Sequence, residues 1–197
     1  MNKFKTQVQL LKLCYLLLLF VVFQPRVLPA QPGNSELLQL NTERLRITRQ
    51  SMTVLGGWAA LNMGSGLILQ ANAEGEDRYF HRMNATWNVV NAGLASLGYF
   101  NARRSQPASW DLVQSRRGMR KLRQTLLLNA GIDTGYMMAG IWLHERGKNP
   151  TLTTDQGDRF RGWGKSLILQ GGFLFAFDLL TFYRLRKPQR RLDFAFQ

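Results

Sequence analysis

The stretch Met52–Gln70, MTVLGGWAALNMGSGLILQ, runs for nineteen residues without a charged side chain. A helix needs about 20 mainly apolar residues to cross the hydrocarbon of a bilayer. Three stretches of similar length follow. Met83–Phe100 (MNATWNVVNAGLASLGYF) is also uncharged. Thr125–Leu143 (TLLLNAGIDTGYMMAGIWL) and Ser166–Tyr183 (SLILQGGFLFAFDLLTFY) carry one charge each, Asp133 and Asp178. None contains proline, and the connecting segments are dense in Arg and Lys. Uncharged runs between charged ends predict four membrane helices. Their glycines agree: an interior Gly costs a helix in water about 1 kcal/mol relative to Ala, whereas small residues in lipid let helix backbones approach closely. Gly56, Ala60 and Gly64 recur at four-residue spacing on the first run, as do Gly131, Gly135 and Ala139 on the third. The Asn, Gly and Thr of the second and third runs, with a mean hydropathy of −0.19, leave open a water-soluble bundle with long buried helices.

Around these runs, residues 1–30 read as a secretory signal peptide. Lys3, Lys5 and Lys12 precede the apolar run Leu13–Phe23, and Leu28-Pro29-Ala30 offers a cleavage site before Gln31. Eleven apolar residues are short for a span; an uncleaved anchor is the alternative. Cleavage removes Cys14, the one cysteine, and with it any thiol chemistry. Residues 31–51 form an amphipathic N-terminal segment. In it Leu37, Leu38, Leu45 and Ile47 fall near one side, and Glu43, Arg44, Arg46 and Arg49 largely elsewhere. It is expected either to lie in the membrane interface or to extend the first span into water. Residues 52–183 make the four-helix membrane domain, and 184–197 a basic tail. The 197 residues hold 26 Lys and Arg against 12 Asp and Glu, a formal charge of +14. With 45% hydrophobic residues and a single cysteine, the chain is neither disordered, nor disulfide-stapled, nor built on a Cys-ligated metal.

The chain repeats itself. Arg46-Ile-Thr-Arg49-Gln50 before the first span matches Arg120-Lys-Leu-Arg123-Gln124 before the third, 74 residues on. The same shift places Gly57 on Gly131, Asn62 on Tyr136 and Gly66 on Gly140. Asp77-Arg78-Tyr79 before the second span echoes Asp158-Arg159-Phe160 before the fourth. The expected fold is therefore all-α: a four-helix transmembrane bundle of two similar hairpins, preceded by a signal peptide and a short amphipathic helix. Two-span repeats run the same way through the membrane, as a parallel repeat.

Polar residues share faces inside the spans. Asn84, Asn88 and Asn91 recur at i, i+4, i+7, with Trp87 beside them; Asn129, Asp133 and Tyr136 repeat that spacing. Gln170 and Asp178 lie on the fourth span, Asn62 on the first. Such groups are costly in lipid and should face the bundle interior. They are either interhelical glue, at about 0.6–2 kcal/mol each, or a polar cavity for a small ligand, an ion or protons. Asp133 is the leading site candidate, with Asn129, Tyr136 and Asn88 as expected partners; Asp178 comes second. His81 and His144 fall on one membrane side with six acidic residues, but no metal-ligand spacing of a known type occurs. A phosphate loop, a nucleophile elbow and a Cys/His pair are likewise missing. No enzyme activity, metal or cofactor is expected.

The residues Leu55-Gly-Gly-Trp-Ala-Ala-Leu-Asn62 and Tyr79-Phe-His-Arg-Met-Asn-Ala-Thr-Trp-Asn-Val-Val-Asn91 resemble an uncharacterised bacterial family of small, signal-bearing, four-helix membrane proteins with a domain of unknown function. The resemblance covers roughly 40–185 and rests most on Met-Asn-x-x-Trp-Asn-x-x-Asn. It implies an envelope protein of a double-membraned bacterium and no activity; the location expected for the four-span chain is the inner membrane.

Orientation is contested. The N-terminal segment, the 101–124 loop and the tail hold 15 Lys and Arg; the 71–82 and 144–165 loops hold 7. The positive-inside rule puts the 15-charge side in the cytoplasm, whereas a signal peptide delivers residue 31 outside. The signal favours both termini outside. The function expected is a non-enzymatic envelope component acting through interaction or assembly. The alternatives are a small transporter using the interior Asn/Asp/Tyr cluster and a peripheral basic bundle on anionic lipid. The expected partners are the bilayer, anionic headgroups at the basic loops, and a protein partner or second copy. Nucleic acid is excluded because the basic residues flank apolar spans.

Overall fold

The computed structural model describes residues 35–194, so the signal peptide lies outside the described residues. Four long helices fill the chain: α1 Ser35–Leu69, α2 Gly75–Arg104, α3 Leu112–Arg146 and α4 Thr154–Arg184. A 3-10 turn, Pro107–Ser109, joins α2 to α3, and a short α5, Arg186–Phe194, follows α4. No strand occurs among the described residues. At 1.5 Å per residue the four helices are about 45–52 Å long, well beyond the roughly 30 Å of hydrocarbon. Each predicted span is thus the middle or end of a longer helix. By length and composition, α1 and the α4–α5 stretch are apolar enough to cross a membrane; α2 and α3 are not. Their Asn, Gly and Thr lower the average.

Polar side chains set the helix starts. Asp111 accepts from the Gln114 amide at 2.7 Å at the head of α3, and Thr153 with Gln156 forms a reciprocal capping box on α4, satisfying amides that the first turn leaves free. Gly75 begins α2 with φ +54, a conformation that favours glycine.

The separate amphipathic helix expected before the first span does not exist. Residues 35–51 continue into the span as one helix, because nothing between Ser35 and Leu55 breaks it. Their apolar face packs on protein rather than on an interface. Leu37, Leu40 and Ile47 join Met119, Leu126, Leu185 and Leu192 in an apolar core. Leu40 takes the place expected of Leu38, which is exposed. Arg44, expected on the solvated side, is buried: it lies 4.4 Å over the Trp110 ring and donates to the Ser115 carbonyl at 3.1 Å. Burial lowers its pKa to about 10, still charged at neutral pH. The tail is helical over Arg186–Phe194, with Pro188 and Leu192 buried.

α1 packs against α2, α3 against α4, and α2 against α4. The order across the bundle is α1, α2, α4, α3, with α2 and α4 running parallel at the centre. α1 and α3 meet in their N-terminal halves, where Asn41 donates to the Ser115 hydroxyl at 2.8 Å across a 74-residue separation. Gly66 and Gly140, also 74 apart, mark close backbone approaches, one within each hairpin. A Cβ at Gly66 would meet the His81 carbonyl oxygen at 2.7 Å, and one at Gly140 the Gly164 carbonyl oxygen at 2.7 Å.

The middle of the bundle is inverted in polarity. Leu61 is 73% exposed and Val89 56%, whereas Asn88 is 0% and Gln170 1% exposed.

Candidate functional site

Helical spacing places the polar faces, and the parallel α2–α4 contact closes them. Five of the ten expected residues converge between α1, α2 and α4. Gln170 is the hub. Its Oε1 accepts from Trp58 Nε1 at 2.9 Å and from Asn91 Nδ2 at 3.5 Å, and its Nε2 donates to Asn84 Oδ1. Asn84 Nδ2 donates to Asn62 Oδ1 at 2.6 Å, and Asn62 Nδ2 to the Trp58 carbonyl at 2.8 Å. Asn88 Nδ2 donates to the Asn84 carbonyl at 2.8 Å while its Oδ1 accepts from Asn91 at 3.1 Å. Trp58 stacks on Phe173, with ring centroids 3.9 Å apart. The amides of this cluster bond one another, which is what a buried polar network needs to stabilise rather than strain.

Asn129, Asp133 and Asp178 form a second group between α3 and α4. Asp178 accepts a hydrogen bond from Asn129, with Asp133 close by. Asp133 Oδ2 is buried with no hydrogen-bond partner. The expected Asn88–Asp133 partnership is not formed, because Asn88 is engaged on its own helix. Asp178 is buried. Trp87 and Tyr136 link the two groups edge to face, with centroids 5.0 Å apart.

Sequence spacing missed Trp58, four residues before Asn62 on the same face, and the Ser51–Thr181 hydroxyl pair at 3.1 Å. Position i−4 from Asn62 was the available signal for Trp58; no sequence signal pairs Ser51 with Thr181.

At the end of the bundle holding His81 and His144, Glu76, Asp77, Glu145 and Asp158 serve ion pairs. Arg161 bonds Glu76 and Asp158, each at 2.6 Å, and donates to the Gly147 carbonyl at 2.9 Å. Lys165 reaches Glu76, and Tyr79 donates to Asp155. The hydrogen bond from Lys165 holds the Glu76 carboxyl below its ordinary range, and Glu76 in turn raises Lys165. A carboxyl with a depressed folded pKa stabilises above its unfolded value of about 4.5 and loses that contribution as pH falls. Lys165 contributes below about 10.5 and loses it as pH rises past its raised folded value. Glu76→Gln is therefore expected to cost about 1 kcal/mol at neutral pH. The melting-temperature gap to wild type should narrow below about pH 4, read by thermal unfolding in detergent across pH.

A family model described as a family of unknown function, DUF6992, matches residues 54–179. The chain belongs to the DUF6992 family. The DUF6992 match takes in all ten expected polar residues and leaves out the N-terminal half of α1 and all of α5. Comparison with curated proteins and with solved structures finds no match.

Proposed function

We propose that this DUF6992 protein is a non-enzymatic, four-span integral membrane protein of the bacterial cell envelope, exported by its signal peptide, with a structural or interaction role. Two hairpins related by the 74-residue repeat form the membrane domain, and the Asn62–Asn84–Gln170 network binds its helices together. One observation carries this reading: at the middle of the bundle large apolar side chains face out and amides face in. In water such a surface would be a large exposed apolar patch; in lipid it is the expected arrangement. Interior polarity also explains why α2 and α3 lack the apolar average of ordinary spans. Extraction with alkaline carbonate tests it. The protein is expected to stay in the membrane pellet; release into the supernatant contradicts the reading.

A second reading, a small transporter or ligand-binding protein, is favoured by the unpartnered Asp133 oxygen beside Asp178. Its test is Asp133→Asn, which removes the charge and keeps the shape. Under the structural reading the variant is expected to match or exceed wild-type stability, because it removes a buried carboxyl whose Oδ2 has no hydrogen-bond partner. Marked destabilisation would mean the carboxylate holds something the neutral amide cannot.

A further inference from the structure

The charge of the chain is concentrated at one end of the bundle. The N-terminal half of α1, the C-terminal turn of α2, the following loop, the start of α3, the end of α4 and α5 carry 15 Lys and Arg against 4 Asp and Glu. The opposite end carries 7 against 6, joined by the Glu76–Arg161–Asp158 and Lys165 pairs.

The repeat shows which charges both halves keep. The 74-residue shift carries Arg46 onto Arg120 and Arg49 onto Arg123. The shift of 81 that superposes Asp77-Arg78 on Asp158-Arg159 carries Arg103 onto Arg184. At the cationic end, three positions are thus arginine in both hairpins. At the opposite end the retained pair is one acid and one base, which cancel.

Contacts put five of the arginines at one level, and Arg120 lies about one helical turn before Arg123. Met52 lies against Gly98, so Arg46 and Arg49 fall beside the last turns of α2, which carry Arg103. Arg184 Nη2 donates to Gln50 Oε1 at 2.5 Å, and Arg123 lies 4.2 Å over the Phe182 ring. Exposed apolar side chains adjoin them: Val54, Phe100, Leu127, Leu180 and Tyr183 follow within about two helical turns.

We propose that this belt, Arg46, Arg49, Arg103, Arg120, Arg123 and Arg184, binds the phosphates of anionic phospholipids in one leaflet. The proposal rests on the membrane-spanning reading, which puts acyl chains against the apolar side chains and headgroups beside the arginines. Guanidinium forks match phosphate oxygens bidentately, and each cation near an anionic surface favours it about fivefold at low salt. The belt gives the bundle a preference for one membrane face and for anionic lipid.

Native mass spectrometry of the full-length protein, in detergent with equal dioleoylphosphatidylglycerol and dioleoylphosphatidylcholine, tests this. Wild type is expected to retain the phosphatidylglycerol at least about fivefold over the phosphatidylcholine. Replacing the six belt arginines with glutamine brings the ratio to about one, and the all-lysine version keeps a preference. Gln at Arg186, Lys187, Arg190 and Arg191, off the belt, leaves the ratio at the wild-type value. If the six-Gln chain does not fold, Arg49→Gln with Arg123→Gln is expected to lower the ratio severalfold. Equal retention of the two lipids by wild type overturns the proposal. So does a preference that survives in the belt variants, or one lost equally in the α5 control. Displacement of bound phosphatidylglycerol by a short DNA duplex would assign the belt to nucleic acid and overturn it as well. Carbonate extraction of the same preparations separates the two readings. Loss of lipid preference with the protein still in the pellet overturns the belt alone; release overturns the spanning bundle.

Discussion

Gln170→Leu is expected to destabilise the bundle by about 2–4 kcal/mol, from unpaired buried groups at about 1–3 kcal/mol each. Gln170 is 1% exposed and the single point where α1, α2 and α4 share hydrogen bonds. Leucine has similar volume and adds apolar surface, so the change removes bonding rather than packing. It leaves Trp58 Nε1, Asn91 Nδ2 and Asn84 Oδ1 each short of a partner. In membranes single interhelical hydrogen bonds average only about 0.6 kcal/mol; three lost together at one buried hub justify the larger figure. By contrast Asn62→Ala, at the edge of the network, is expected to cost about 1 kcal/mol. Thermal unfolding in mild detergent reads both. Wild-type stability for Gln170→Leu would contradict the view that these amides hold the helices together.

Gly162→Leu is expected to cost about 3 kcal/mol or more, at the upper end for overpacking. Gly162 sits where the two central helices cross. A Cβ there would lie 2.7 Å from the Phe80 amide nitrogen and 2.8 Å from Tyr79 Cβ, and closer still to the Glu76 carbonyl. Those are backbone atoms and a Cβ, which have no rotamer to escape into. α2 and α4 would have to separate, taking the Arg161–Glu76 pair and the Gln170–Asn84 bond with them. Gly131→Leu is the control, because nothing lies within 4 Å of a Cβ there; it is expected to change stability by no more than about 0.5 kcal/mol. Equal loss from both variants would mean the effect does not arise from the α2–α4 contact.

The placement of these residues was partly legible in the sequence. The i, i+4, i+7 run of Asn84, Asn88 and Asn91 is a statement about one helix face, and it held. The 74-residue shift pairs Gly66 with Gly140, and both are close helix–helix approaches. What spacing does not carry is the partner on another helix. It could not say that Gln170 rather than Asp133 meets the asparagines, because that depends on α2 and α4 being central and parallel. It misread Arg44 for a related reason. A guanidinium looks solvated until a neighbouring element supplies a ring and a carbonyl, here Trp110 and Ser115. The 35–51 segment looked separable because its charge density differs from that of the span. No breaker separates the two, so the helix runs through.

The central claim is that lipid, not water, surrounds the middle of this bundle. Spin labels at Leu61, Val89 and Leu128, each introduced as a single cysteine in a Cys14→Ser background and reconstituted in bilayers, test it most directly. The prediction is high collision with dissolved oxygen and low collision with a water-soluble nickel chelate at all three positions. Strong nickel collision at these positions would place them in water and contradict the account.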